Sequence, residues 1–335
     1  MTREDTPGWV TVIDGRPGAF DAATAEQSPR DKNDRDNGDG VDRQLSELAK
    51  RMEEHELAVW ATSVDAVAAL PGNPLDAVID RSGPLPLFAL CAVDRGDINR
   101  VIALGVDAPA RSEDLEAICC FYEEHGQRNF RIEVTPFARP SELAGWITNR
   151  DLACEAAGTF KMWRRAEHPP AAASDIEVRR LGPSDADALT AVNVAAWGAW
   201  NMPVSMAAWF GATVGRDGVQ HYGVFDADRL VATGALFVGD GLGWLGFDAT
   251  HPRYQGRKLR QAISSFRMVD AAAQGCEIVH AESAVPPSHR ALSDRWRLLY
   301  EKQNYLCVRV NEAVTTTSAV AGTRRQRVPD APDHS

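Results

Sequence analysis

The sequence predicts an α/β protein in which a mixed, mostly antiparallel sheet is flanked by helices, with two such units in tandem. Three observations lead there. The chain has 335 residues, 44% of them apolar and 25% charged, enough for a sizeable core and long against the roughly 100–200 residues of one domain. Apolar stretches of period two alternate with stretches whose apolar residues recur every three to four positions, in both halves of the chain. Between the halves stands Pro169-Pro170 followed by alanines, a composition that reads as a linker. The expected organisation is a disordered acidic tail over 1–42, one unit over 43–168, a second over 175–314, and a disordered tail over 315–335.

In the first unit, Leu45, Leu48, Met52 and Leu57 fall on one stripe, so a helix is expected over 41–60. Strands are expected over 87–93 and 99–106, then a helix over 112–125 with Ser112 as N-cap and Gly126 as its stop. A strand over 129–135, a short helix over 140–150 and a closing strand over 158–165 complete an α/β alternation. In the second unit, Ile176, Val178 and Leu181 alternate as a strand. Ser184-Asp185-Ala186-Asp187 then opens a helix to Trp197, its acids placed where the helix dipole favours them. A helical stretch over 204–214 precedes strands over 221–225, 230–238 and 242–250, the first two joined by the turn Asp226-Ala227-Asp228-Arg229. Leu259, Ile263, Phe266, Val269 and Ala273 then recur on one helical face until Gly275. A strand over 278–284, a helix over 288–303 carrying Leu292, Trp296 and Leu299, and a strand over 306–310 close the unit.

Composition narrows the function classes. A formal charge of −11 opposes general nucleic-acid binding, which needs a basic surface to neutralise phosphate. The chain lacks an apolar run of spanning length and a leader pattern at its start, so a cytoplasmic protein without membrane attachment is expected, as monomer or homodimer. Six cysteines lie mainly in apolar segments without metal-site spacing, and are expected to be buried thiols. HExxH, CxxC, GxSxG and GxxxxGK[ST] are all absent, so no metal site is expected.

Chemistry concentrates where the third strand of the second unit turns into its helix: Thr250-His251-Pro252-Arg253-Tyr254-Gln255-Gly256-Arg257-Lys258-Leu259-Arg260. Amides in a turn that opens a helix lack intrahelical acceptors and the helix dipole adds positive charge, so a pyrophosphate fits there. Arg257, Lys258 and Arg260 add positive potential in an acidic chain. Read alone, this turn is equally an ordinary basic helix start.

This turn, the element order and Leu299-Tyr300-Glu301-Lys302-Gln303-Asn304-Tyr305 together resemble the GNAT superfamily of acyl-CoA-dependent N-acetyltransferases over about 140 residues. The resemblance implies acetyl-CoA as cosubstrate, held by Thr250, Gln255, Gly256, Arg257, Lys258, Leu259 and Arg260, with Ser293 where the family often has a cofactor-contacting Asn. It places Tyr300 as the acid that protonates the leaving thiolate. Two family glycines correspond to Lys258 and Arg260, whose side chains either crowd the cofactor or supply salt contacts. An attacking amine must lose a proton, and Glu282 and Asp248 are the acids on the flanking strands, with His251 and His280 behind them. The first unit resembles a degenerate copy, with Asp107, Glu113 and Asp114 where phosphate would sit. The expected activity is acetyl transfer to an amine of a small molecule. Another acyl group, thioester decarboxylation and acyl-CoA binding without catalysis stay open.

Overall fold

The structure, a computed structural model, describes residues 35–167, 175–198, 204–284 and 295–307. Helix α1 (Arg35–Ala68) outruns the expected 41–60 at both ends. Its buried face mixes Met52, Val59 and Trp60 with Glu53 and Glu56. The first half continues as β1 (Ala77–Asp80), β2 (Leu87–Leu90), β3 (Arg100–Val101), α2 (Ser112–Glu124), β4 (Arg131–Val134), α3 (Leu143–Thr148), β5 (Leu152–Cys154) and β6 (Thr159–Arg165). Strands β1 and β5 carry too few residues for alternation to be read in sequence. The strand expected over 99–106 contracts to two residues. Asn99 turns its side chain onto the Leu90 amide and the Val93 carbonyl at 2.9 and 2.6 Å, and Ala103 and Gly105 take positive φ beyond it. The N-cap of α2 is Arg111, not Ser112.

The second half holds β7 (Val178–Leu181), α4 (Ala186–Trp197), α5 (Ala207–Ala212), β8 (Val219–Asp226), β9 (Arg229–Gly239), β10 (Leu242–Thr250), α6 (Leu259–Ala273), β11 (Ile278–Ser283) and β12 (Arg297–Cys307). Strand β12 corrects the helix expected over 288–303, of which 288–294 lie outside the described residues. Trp296 and Leu299 suggested a helical stripe, yet the buried positions alternate as Tyr300, Lys302 and Asn304 between exposed Glu301 and Gln303. The inward residues are polar, so an apolarity pattern could not reveal the strand's period of two.

One mixed sheet runs in the order β3-β4-β12-β6-β11-β10-β9-β8-β7, with β5 also pairing β12, while β1 and β2 form a separate hairpin. Every pairing is antiparallel except β3 with β4 and β10 with β11. The halves exchange strands: β6 of the first pairs β11 of the second, and β12 of the second pairs β4 of the first. In the central pair Lys161 faces Tyr300 and Thr159 faces Lys302. A rotation that swaps these two strands therefore exchanges Lys161 with Lys302 and carries the parallel pair β10–β11 onto β3–β4.

Helices cover both faces. Trp244 packs with Val59 of α1, whereas its neighbour Leu245 packs with Ile263 and Met268 of α6, so α1 and α6 lie on opposite sides of β10. Helices α4 and α5 join the α1 side through Leu189, Val192 and Trp209. Of the cysteines expected to be buried, Cys276 and Cys307 are, while Cys120 and Cys154 are exposed. Among the described residues no helix is long and apolar enough to cross a membrane.

Candidate acyl-CoA site

Strands β10 and β11 are paired only from Leu242–Ile278 to Trp244–His280. Beyond that point β10 runs on to Thr250, bonded to β9, and β11 runs on to Ser283, bonded to β6. Each strand is held on its outer side, so the two part and leave their facing edges to a third, extended chain. Unpaired strand edges accept one through main-chain hydrogen bonds.

Beside this fork β10 carries a bulge. Register slips between Gly246, opposite Ala235, and Ala249, opposite Thr233, so Phe247 and Asp248 together oppose Gly234. Phe247 has φ 52°. A bulge takes its extra residue off the ladder and re-aims the side chains around it. Phe247 thereby joins Trp244, Phe237 and Trp209 in ring contacts of 5.3–6.0 Å on the α1 side. Asp248 is turned to the α6 side.

After Thr250 comes a 3-10 turn, Pro252–Tyr254, and then α6. No side chain caps α6 and no acid stands in its first turn, so its first amides face outward without an intrahelical partner. Gln255, Gly256, Arg257, Lys258 and Arg260 are exposed there, while Leu259 is buried as the helix's anchor. Thr250 ends β10, half-buried. Gly256 and Lys258 both take left-handed backbone, φ 77° and 60°. The second explains why glycine suits position 258: a side chain there costs about 1–2 kcal/mol in local strain. Arg257 lies over the Tyr254 ring at 4.8 Å.

The remaining expected residues fall into two other places. Tyr300 lies on β12, 6% exposed, and its hydroxyl donates to Glu53 Oε1 of α1 at 2.6 Å. Burial, then the Glu53 charge, push its phenol well above the ordinary value. The position expected between a helix end and a strand is thus the middle of a strand, and the proton is committed to a buried carboxylate. Glu282 on β11 shares this region and ion-pairs with Lys302 at 2.6 Å, Arg100 at 3.0 Å and Lys161 at 3.4 Å. Lys302, Lys161 and Arg100 together overcome its burial and hold its carboxyl well below the usual range. Such a carboxylate has little basicity left for an ammonium. Asp248 is taken by Arg267 at 2.6 Å. Ser293 lies outside the described residues. Tyr300 and Glu282 are brought together; Asp248 and the basic turn belong to the α6 side.

What joins Tyr300 and Glu282 is a buried charge assembly that no motif announced. Glu53 and Glu56 of α1, Arg100 of β3, Glu133 of β4, Lys161 of β6, Glu282 of β11 and Lys302 of β12 meet at the seam between the halves. Lys161 also bonds Glu56, and Lys302 reaches Glu56 and Glu133 at 2.9 Å each. Burial and then Glu282 push the Glu56 carboxyl up to about 8. Arg131 also pairs with Glu133 at 2.8 Å, so four carboxylates meet four cations across the assembly. The carboxylates of Glu53, Glu56 and Glu282 lie within 4.8 Å of one another, a spacing that suits a metal ion, but the Lys161 and Lys302 ammoniums already serve them. Next to this assembly His55 Nδ1 and His280 Nε2 are 2.8 Å apart, and burial holds both rings neutral.

The equivalent place in the first half is filled. Beyond the β3–β4 pair the Arg139 amide donates to the Gly105 carbonyl, and the Arg139 carbonyl accepts from the Ala110 amide, both at 2.8 Å. The chain's own backbone at Arg139 therefore takes up the main-chain groups that follow β3 there. A side chain at Gly105 would meet Arg139 O at 2.5 Å. Asp114 accepts the Arg111 amide at 2.8 Å and closes the start of α2. Asp107 is paired with Lys50 at 2.6 Å.

No protein-family model and no curated protein matches the sequence. Solved structures do. A GCN5-related N-acetyltransferase from Kribbella flavida superposes over 73% of this chain and 95% of its own, at 14% identity and a TM-score of 0.51. A tandem GNAT protein from the clavulanic acid biosynthesis pathway covers 72% of this chain and 86% of its own, at 16% identity and 0.48. A GCN5-related N-acetyltransferase from Sphaerobacter thermophilus covers 58% and 68%, at 14% and 0.45. With its bulged strand, its forked parallel pair and the open helix start beyond them, this chain has the fold of the GCN5-related N-acetyltransferases.

Proposed function

We propose that the second half binds acetyl-CoA and transfers its acetyl group to an amine of a small molecule. The observation that carries this reading is the fork between β10 and β11, which leads from a bulge directly to an uncapped, basic helix start. The residues fit the cofactor in three places. Pantetheine, an extended amide chain, suits the open edges of the fork. The pyrophosphate suits the first amides of α6 with Arg257, Lys258 and Arg260 around them. The thioester carbonyl suits amides that the bulge takes off the ladder, where an oxyanion is stabilised as charge develops.

In the reaction the amine lone pair forms a C–N bond at the thioester carbon and the carbonyl electrons move onto oxygen. Collapse breaks the C–S bond, the nitrogen gives up a proton and the sulfur gains one. Phe247, half-buried at the bulge with the Trp209 ring 6.0 Å away, supports an acceptor with an apolar portion. A second reading, binding of acyl-CoA without turnover, draws support from the engaged state of Glu282, Asp248 and Tyr300.

Calorimetric titration with acetyl-CoA, CoA and desulfo-CoA tests both. Binding of all three is expected; no heat with any of them removes both readings. Where binding is found, a thiol-release screen against amines separates them. Release expected with at least one amine supports transfer, and release that persists unchanged in Tyr300→Phe removes Tyr300 as the acid.

A further inference from the structure

Arg267, fully buried midway along α6, reaches across to the bulge. Its Nη1 donates to the Ala235 carbonyl of β9 at 2.7 Å and to the Gly246 carbonyl of β10 at 3.2 Å. Its Nη2 donates to Asp248 Oδ1 at 2.6 Å and to Ser264 Oγ at 3.2 Å. Gly246 and Asp248 are the neighbours of Phe247, so one guanidinium grips the bulge on both sides of its left-handed residue.

The opposite strand leaves room for this grip. A Cβ at Gly234 would lie 2.5 Å from Asp248 Oδ1 and 2.9 Å from Arg267 Nη1. The residue facing the bulge therefore has to be glycine for the ion pair to sit over β9. A buried ion pair stabilises a fold no better than apolar side chains of the same volume, whereas planar, directional donors fix geometry. Arg267 stands eight positions after Leu259, about 12 Å along the axis at 1.5 Å per residue. The helix thus offers phosphate amides at its start and a clamp on the bulge two turns on.

We propose that Arg267, with Asp248 and Gly234, is a positioning device that sets the bulge amides of β10 relative to the amino end of α6. A thioester carbonyl then meets the bulge while the pyrophosphate meets the helix. The proposal rests on the acyl-CoA reading above and assigns Asp248 to holding Arg267 rather than to taking a proton.

The test uses the full-length protein and the variants Arg267→Lys, Asp248→Asn and Gly234→Ala. Each is titrated with CoA, and each is examined by infrared difference spectroscopy with acetyl-CoA carrying carbon-13 at the carbonyl. In the wild type the carbonyl stretch is expected to fall on binding, the signature of a hydrogen bond to the bulge. The variants are expected to lose that shift while keeping CoA affinity within about threefold, under half of the 1.4 kcal/mol that separates tenfold steps. Asp248→Asn keeps the side chain's size but removes the charge that holds Arg267, so it reports on the grip even if the other two unfold, which thermal unfolding shows. A full shift in folded variants, or none in a wild type that binds acetyl-CoA, overturns the proposal and leaves the acyl-CoA reading standing. A wild type that binds neither ligand overturns that reading, and the proposal with it.

Discussion

Two strand-to-helix passages of this molecule, β3 into α2 and β10 into α6, occupy equivalent places beside a parallel strand and have opposite fates. In the first, the Arg139 backbone bonds Gly105 and Ala110 across the gap, and Asp114 closes the helix start. In the second, the strands part, nothing caps the helix, and three basic residues surround its exposed end. The difference teaches that the backbone scheme alone does not make a ligand site. What decides is whether the chain spends its own main-chain groups on the gap, and which sign of charge it sets at the helix start.

The comparison can be broken most severely at the seam that joins the two passages. Lys302→Met removes a fully buried cation that serves Glu53, Glu56, Glu133 and Glu282. It is expected to cost about 3–5 kcal/mol in urea unfolding, because the partners stay buried without compensation. Next in size, Arg257→Glu with Arg260→Glu is expected to raise the acetyl-CoA dissociation constant about 100-fold, taking each charge-assisted contact at about 1.5 kcal/mol. The converse change in the first passage, Asp107→Lys with Glu113→Lys, is expected to add no second acyl-CoA site, since Arg139 still fills the gap, so the stoichiometry stays that of the wild type. A second equivalent bound by that variant would break the comparison.

Asp114→Ala is expected to cost about 1 kcal/mol by opening the start of α2. The Arg111 side chain holds the Asp114 carboxyl below its ordinary value. The difference between variant and wild type is therefore full above about pH 4 and shrinks as pH falls through the lowered folded value. The smallest effect is at Lys258. Lys258→Gly relieves left-handed strain of about 1–2 kcal/mol and adds about 0.5–1 kcal/mol of unfolded-state entropy, so stability rises by about 0–1.5 kcal/mol.

Much of the second passage was legible in sequence because it obeys local rules. The period changes from two to 3.6 at Thr250, and Leu259 and Ile263 do line the buried face of α6, whereas Phe266, Val269 and Ala273 of the expected stripe are exposed and Met268 and Ala271 take the buried places. The bulge left no such trace: Leu-Gly-Phe-Asp over 245–248 reads as a strand, and only the pairing with β9 shows the slip. The seam was hidden for a different reason. Lys161, Lys302, Glu133 and Glu282 alternate correctly on their strands, but charged residues are read as outward-facing. Their burial depends on partners more than a hundred positions away, such as Glu56 for Lys161 and Glu133 for Lys302. Tyr300 was misplaced by the same blindness, since its strand is recognised only by the two strands it enters.

That last strand also governs when the protein can finish folding. Gln303 pairs with Val134, and Lys302 with Thr159, so β12 closes loops of well over a hundred residues as it inserts between β4 and β6. Such contacts are slow to form, and on a ribosome they wait until β12 itself has emerged. Until then β4 and β6 each present an open edge, and Glu53, Glu56 and Glu133 lack the Lys302 ammonium on which their burial depends. The first half is a scaffold that completes itself only when the second half has been made.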